Sequence, residues 1–162
     1  MRKLIVGVMG PGDGALEADV KNAYQLGALI AGQDWILLSG GRNAGVMDAA
    51  SKGAKSASGI TVGILPAADK SSLSGAVDIP IVTGMGSARN SINVLTSDVV
   101  VACGSGAGTA SEVALAIKAE KNVILLNFTE KGIDFFLSLN DKNIFVASDP
   151  YAVIDIIKKI TC

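Results

Sequence analysis

Seven short apolar runs recur along the chain, at residues 4–9, 35–38, 60–65, 77–82, 99–103, 123–127 and 144–146. They are mostly β-branched and carry no polar alternation, which predicts strands buried on both faces. Between most of them the apolar positions fall three or four apart. Leu16, Val20, Ala23, Gly27 and Ile30 trace one helical face; Val46, Ala49, Ala50, Gly53 and Ala54 trace a second; Val113, Ala114, Ile117 and Ala119 suggest a third. Residues 87–96 and 150–160 supply two more, the latter ending in Lys158 and Lys159, which suit a helix C-terminus. Two stretches fit neither period. Residues 66–76, rich in Ser, Ala and Asp, predict a loop, and residues 128–140 predict a loop carrying a short helical piece anchored by Phe135 and Phe136.

Strands alternating with helices imply an α/β fold: a Rossmann-like, doubly wound, mainly parallel sheet of about seven strands flanked by helices. A chain of 162 residues suffices for one well-buried core and is short for two, so residues 1–162 are expected to form a single domain. No internal repeat or low-complexity linker interrupts it.

Four of the strand-like runs break into glycine, at Gly10-Pro11-Gly12-Asp13-Gly14, Gly40-Gly41-Arg42-Asn43-Ala44-Gly45, Gly84-Met85-Gly86-Ser87 and Gly104-Ser105-Gly106-Ala107-Gly108-Thr109. Each break precedes a helix-like stretch. In a doubly wound sheet such turns lie at the carboxyl ends of the strands, where ligands bind near the topological switch point. Glycine lets a ligand approach the backbone, and the following helix starts with free N–H groups and a positive dipole end. The expected result is an anion-binding mouth.

Composition narrows the chemistry. Formal net charge is −1, with no basic run, so neither nucleic acid nor a membrane surface is an expected partner. Met1-Arg2-Lys3 followed by an apolar run has the outline of a leader, but that run is short and leads into Gly-Pro, so it reads as a first strand. The two cysteines, Cys103 and Cys162, are too few for a disulfide framework or a cysteine-rich metal site. Cys103 is expected to pack in the core, Cys162 to be a frayed terminus, and the compartment to be cytoplasmic. Histidine is absent, which removes Ser-His-Asp and Cys-His catalysis and the His-based zinc signatures. No metal site is expected.

Known nucleotide motifs match poorly. Gly10, Gly12 and Gly14 lack the last spacing of G-x-G-x-x-G, and Ser39, Gly40, Gly41 and Arg42 stand where an acid would read the ribose. No P-loop string occurs. The strongest site is the run from Gly104 to Glu112. There Gly104, Ser105, Gly106, Ala107 and Gly108 leave little side-chain obstruction, and Thr109 with Glu112 has capping-box spacing. That pair either starts a helix or faces a ligand, with the N–H groups at 106–109 on an oxyanion and Glu112 on a sugar or pterin. Of the three arginines, Arg42 and Arg89 follow glycine turns, and Asn43 and Asn90 follow the arginines. The planar guanidinium matches phosphate or carboxylate, and the amides add donors and acceptors. Asp98, before a buried strand, is expected to be structural.

At these residues the chain resembles the superfamily of LONELY GUY-type phosphoribohydrolases. Their signature pairs an arginine with an aspartate nine positions later, then a strand and P-G-G-x-G-T-x-x-E; Arg89, Asp98, Gly106, Gly108, Thr109 and Glu112 stand in register. The stretch from Ser39 to Ala50 is similar to the same superfamily's G-G-G-x-x-G-x-M-G-A. Gly104-Ser105 replaces Pro-Gly, however, and Met85-Gly86-Ser87-Ala88-Arg89 replaces M-H-E-R-K. Leu38-Ser39-Gly40-Gly41-Arg42, Gly45 to Ala50, and Gly84 to Asn90 are closer to the non-hydrolytic molybdenum cofactor carrier proteins.

That resemblance implies a protein that binds and protects molybdenum cofactor (molybdopterin) and hands it to molybdoenzymes or cofactor insertion proteins, as a homo-oligomer, dimer or tetramer. It implies a cofactor site built from Gly10, Gly12, Gly40, Gly41, Arg42, Asn43, Arg89, Asn90, Gly104, Ser105, Gly106, Ala107, Gly108, Thr109 and Glu112, with no catalytic residue. The alternative is a nucleoside 5′-monophosphate phosphoribohydrolase in which Arg89 and Glu112 are catalytic. A third reading, a relative of the DNA-processing proteins of similar fold, is disfavoured by net charge and few aromatics.

Overall fold

A computed structural model describes residues 2–161, so Cys162 lies outside the described residues. The strands are β1 (Ile5–Met9), β2 (Ile36–Ser39), β3 (Thr61–Leu65), β4 (Ile79–Val82), β5 (Val99–Cys103), β6 (Asn122–Leu126) and β7 (Ile144–Ala147). They form one seven-stranded sheet in the order β4-β3-β2-β1-β5-β6-β7, parallel throughout. The helices are α1 (Glu17–Gly32), α2 (Gly45–Ser56), α3 (Asn90–Thr96), α4 (Ala107–Lys118), α5 (Glu130–Leu139) and α6 (Pro150–Ile160). The expected α/β Rossmann-like architecture is therefore present.

The alternation along β5 shows how both faces are covered. Val99, Val101 and Cys103 pack with Leu26 of α1, Ala50 of α2 and Val153 of α6. Val100 and Ala102 point the other way, into a cluster with Val94 of α3, Val113 of α4 and Phe136 of α5. All five β5 side chains are buried, and each buried valine is worth roughly 1.5–3 kcal/mol relative to exposure. Cys103 is a core residue, as expected, its thiol pushed up to about 12 by burial and by Asp19. Asp98 is structural too: it accepts a hydrogen bond from the Ile5 N–H at 2.8 Å and pairs with Arg2 at 2.8 Å.

Winding reverses between β1 and β5. From β1 the chain steps outward through β2, β3 and β4, then returns to the centre at β5 and steps the other way. The four glycine breaks consequently follow β1, β2, β4 and β5 on one edge of the sheet. The β3–β4 crossover, residues 66–78, contains no long helix, as expected. It is held over α2 by Asn43 N–H to Ser72 O (2.7 Å), Ser74 N–H to Gly41 O (2.9 Å) and Ser74 Oγ to Asp48 Oδ1 (2.7 Å).

Several expectations change. β4 starts at Ile79 rather than at residue 77 and is not buried on both faces, since Ile79 and Ile81 are 49% and 41% exposed at the sheet edge. Val146 of the opposite edge strand is similarly open. Residues 128–140 are mostly helix: the Thr129 hydroxyl accepts from Gly132 N–H and starts the ten-residue α5. Phe136 alone is its buried anchor, while Phe135 is exposed. Among the described residues no helix is long and apolar enough to cross a membrane.

α1 and α2 approach so closely that side chains are excluded at the contact. A Cβ on Gly27 would run into the Ala50 carbonyl oxygen, and one on Gly53 into the Tyr24 carbonyl oxygen. Because backbone is the obstacle, relief requires separating the helices. Gly27→Ala and Gly53→Ala are each expected to destabilise the fold by about 2–3 kcal/mol, read as a lower urea midpoint with an unchanged slope.

Candidate functional site

At the reversal point, the ends of β1, β2 and β5 and the turn before α3 enclose a cavity of about 460 Å³. Gly10 and Gly12 form one wall, and a Cβ on Gly10 would overlap the Cys103 carbonyl and Val46. Gly40 and Arg42 come from the β2–α2 turn. A single 3-10 turn, Gly86–Arg89, runs directly into α3 and brings Arg89 and Asn90 to the cavity. Gly106, Ala107, Gly108, Thr109 and Glu112 close the opposite side from the start of α4.

Four of the expected residues stand outside this wall. Gly41 and Gly104 are needed by the backbone itself, with φ of +75° and +79°. A Cβ on Gly41 would crowd the Gly63 backbone, and one on Gly104 would overlap the Asp19 carboxylate. Asn43 anchors the crossover through its N–H, and Ser105 is exposed. Conversely Met9, Pro11, Met47, Pro66, Gly86 and Ser87 line the cavity without having been expected there. Gly86 and Ser87 belong to the third glycine break, which was the available signal; Met47 coincides with the methionine of the G-G-G-x-x-G-x-M-G-A stretch, whereas Met9 carries none beyond its apolar run.

α4 begins differently from the capping-box expectation. Its N-cap is Gly106, in extended backbone, and no side chain caps it. Thr129 and Asp149, by contrast, do cap α5 and α6. Thr109 sits one turn inside, 2% exposed, and its Oγ1 has no hydrogen-bond partner. The spacing that suggested a cap arises because Thr109 and Glu112 share the helix face turned to the cavity. The first N–H groups of α4 thus face the cavity with the positive end of the helix dipole behind them.

Arg89 and Glu112 are the buried charges of the site. Arg89 is 8% exposed; its NH1 donates to Asn90 Oδ1 at 3.1 Å and lies 3.8 Å from Glu112 Oε1, while its Nε has no partner. Asn90 in turn donates to Ser111 Oγ at 2.9 Å, tying α3 to α4. Glu112 Oε1 accepts from Asn93 Nδ2 at 2.8 Å. Asn93, fully buried, is a support that sequence alone did not reveal. Burial pushes the Glu112 carboxyl up to about 7, outweighing the Asn93 hydrogen bond and the attraction of Arg89. Burial also lowers the Arg89 pKa, with Glu112 opposing and Arg42 assisting that shift. Arg42 is more open, 3.5 Å from the exposed Asp13. Below about pH 7, where the Glu112 carboxyl is mostly protonated, two guanidinium charges and a helix N-terminus face one cavity, which suits an anion with hydrogen-bonding edges. No cluster of three or more metal-ligating side chains exists among the described residues.

The SLOG cluster4 family model matches residues 3–154. The chain belongs to the SLOG cluster4 family. A relative from Archaeoglobus fulgidus, itself uncharacterized, is 44% identical over 126 residues, 78% of this chain and 82% of that protein. Among solved structures, the molybdenum cofactor binding protein from the phototrophic bacterium Rippkaea orientalis is 57% identical with a TM-score of 0.99, over 100% of this chain and 99% of that one. The molybdenum cofactor carrier protein from Chlamydomonas reinhardtii is 52% identical with a TM-score of 0.94, over 99% of each chain.

In this SLOG cluster4 chain, the raised Glu112 pKa makes a pH signature. The Glu112 pKa is about 7 folded against an ordinary 4.5, so the native state holds a proton that the unfolded chain releases. The stabilisation of the neutral form is complete below about 4.5 and is lost as pH rises through about 7. Glu112→Gln is expected to remove this dependence, so that its stability relative to the parent rises between pH 5 and pH 8, measured from urea midpoints at each pH.

Proposed function

We propose that this protein is a molybdenum cofactor carrier: it binds the cofactor in the cavity between β1 and β5, shields it and passes it to molybdoenzymes or to their cofactor insertion proteins. The observation that carries the reading is the uncapped start of α4 facing Arg89, inside a fold shared end to end with two molybdenum cofactor proteins.

The residues fit the ligand's chemistry. Molybdenum cofactor joins a terminal phosphate, a flat pterin and an anionic oxo-metal dithiolene. The N–H groups of Ala107, Gly108 and Thr109 and the guanidinium groups of Arg42 and Arg89 suit the phosphate and oxo groups. Of the three buried side-chain polar atoms left without partners among the described residues, Asn93 Oδ1 lies behind the cavity wall, while Thr109 Oγ1 and Arg89 Nε belong to residues that line it and support a polar ligand there. Glu112 and Asn90 suit the pterin edge, and a neutral Glu112 adds a donor that a carboxylate lacks. When bound, the cofactor supplies the molybdenum centre that a recipient enzyme uses. The chain's task is to hold and orient it and to keep water and oxidant away.

A phosphoribohydrolase is not favoured. Structures at 51–57% identity are molybdenum cofactor proteins, and Met85-Gly86-Ser87-Ala88-Arg89 lacks the His-Glu pair that precedes the arginine in the hydrolases' M-H-E-R-K. The same proposal places the protein in the cytoplasm as a homodimer or tetramer; exposed Ile79, Ile81 and Val82 on the edge strand β4 are in keeping with a covered surface.

Gly108 allows a direct test, because a Cβ there meets nothing within 4 Å and projects into open space beside the cavity. Gly108→Val is expected to fold with unchanged thermal stability and to lower anaerobic cofactor retention at least tenfold, measured by fluorescence of the oxidised pterin. Loaded parent protein is expected to restore activity to cofactor-free nitrate reductase. It is expected to release no free base from AMP. Failure to retain cofactor, or Glu112-dependent release of base from AMP, overturns the carrier reading.

A further inference from the structure

The β2–α2 turn does more than border the cavity. An added Cβ on Gly40 would lie 2.6 Å from Met47 Sδ, 2.8 Å from Arg89 NH1 and 2.9 Å from Arg89 NH2. All three atoms are far ends of side chains rather than backbone. Gly40 does not occupy the left-handed region, unlike Gly41 beside it. Its lack of a side chain is therefore not a conformational requirement. The bare Cα of Gly40 makes room for a guanidinium, with the Met47 thioether packed beside the same spot.

The Arg89 guanidinium needs such a seat. It has one nearby carboxylate, Glu112 at 3.8 Å, beyond hydrogen-bond range, and one close acceptor, Asn90 Oδ1 at 3.1 Å. Nε is buried without a partner. Polar contacts alone thus leave the plane of the guanidinium weakly fixed, whereas planar recognition of an anion depends on that orientation. Met47 is 6% exposed and lines the cavity, on α2 just past the turn that carries Gly40. An unbranched thioether fills an irregular gap of this kind.

We propose that Gly40 and Met47 are positioning residues that together fix the Arg89 guanidinium for anion binding, and that Gly40 acts on the ligand only through Arg89. This rests on the carrier reading for the identity of the ligand but not for the geometry. In Gly40→Ala the new methyl group turns the guanidinium out of its seat, while the backbone is undisturbed. Shortening Met47 in that background returns the room.

The test combines a ligand-free and a ligand-bound readout. In cofactor-free protein, the side-chain Nε–Hε resonance of Arg89, assigned by comparison with Arg89→Lys, is expected to shift in Gly40→Ala and to move back toward the parent position in Gly40→Ala/Met47→Ala. With molybdopterin released anaerobically from a molybdoenzyme as the probe, Gly40→Ala and Arg89→Ala are each expected to weaken retention about tenfold. Gly40→Ala/Arg89→Ala, the double variant of this cycle, should be no weaker than Arg89→Ala alone, because both changes remove one contribution. An unmoved resonance in Gly40→Ala, or losses that add fully in the double variant, overturns the proposal. If Met47→Ala prevents folding, the resonance shift and the Gly40/Arg89 cycle still decide it. Should the parent protein retain no molybdopterin, the carrier reading fails, while the resonance shift continues to test the seat.

Discussion

Every strand in the sheet runs the same way, and the chain reverses its winding once, between β1 and β5. That arrangement is the constraint on which the rest depends. Parallel strands put all their carboxyl ends on one edge, and helices must cover both faces. At the reversal the turns after β1 and β5 leave in opposite directions, and a cleft opens between them. The cavity is thus a consequence of topology, before any side chain is considered. What the sequence adds is the means of keeping that cleft open and charged: glycine where bulk would fill it, and a helix start with no side chain closing it.

Two buried charges then convert the cleft into a site. Arg89 and Glu112 sit 3.8 Å apart in a setting where each ionised form is penalised by burial. The carboxyl yields first, because a guanidinium holds its charge far more stubbornly. The site therefore tends toward net positive charge in a chain whose overall charge is −1. Local geometry, not bulk electrostatics, is what suits the cavity to an anion. Asn93 holds the Glu112 carboxyl in place, so the site presents a hydrogen-bonding group with a fixed position.

Much of this was legible in the sequence. β-branched runs and helical periodicity placed the seven strands and most helices, because two-sided burial leaves a strong compositional mark. The mark fades at the edges, where Ile79 and Ile81 of β4 are apolar yet exposed. It also fades in α5, whose single buried anchor, Phe136, gives little periodic signal. Glycine was harder to interpret, since one residue type serves several needs. Gly108 leaves space beside the cavity, Gly41 and Gly104 satisfy positive φ beneath it, and Gly27 and Gly53 let helices touch. Thr109 and Glu112 share a spacing that serves a cap or a common face equally well. Asn93 is an isolated letter on an apolar face and Met47 a motif letter with no evident role, and only three-dimensional proximity reveals that one holds Glu112 and the other packs by Arg89.

The proposed carrier role seats the cofactor between the β1 and β5 ends, on the start of α4 and the turn before α3. Amide hydrogen exchange compared between cofactor-free and anaerobically loaded protein tests it most directly. Slower exchange on loading is expected at residues 10–12, 86–90 and 106–109, with the outer surfaces of α1, α5 and α6 unchanged. Protection centred on those outer surfaces, with the three turns unaffected, would contradict it.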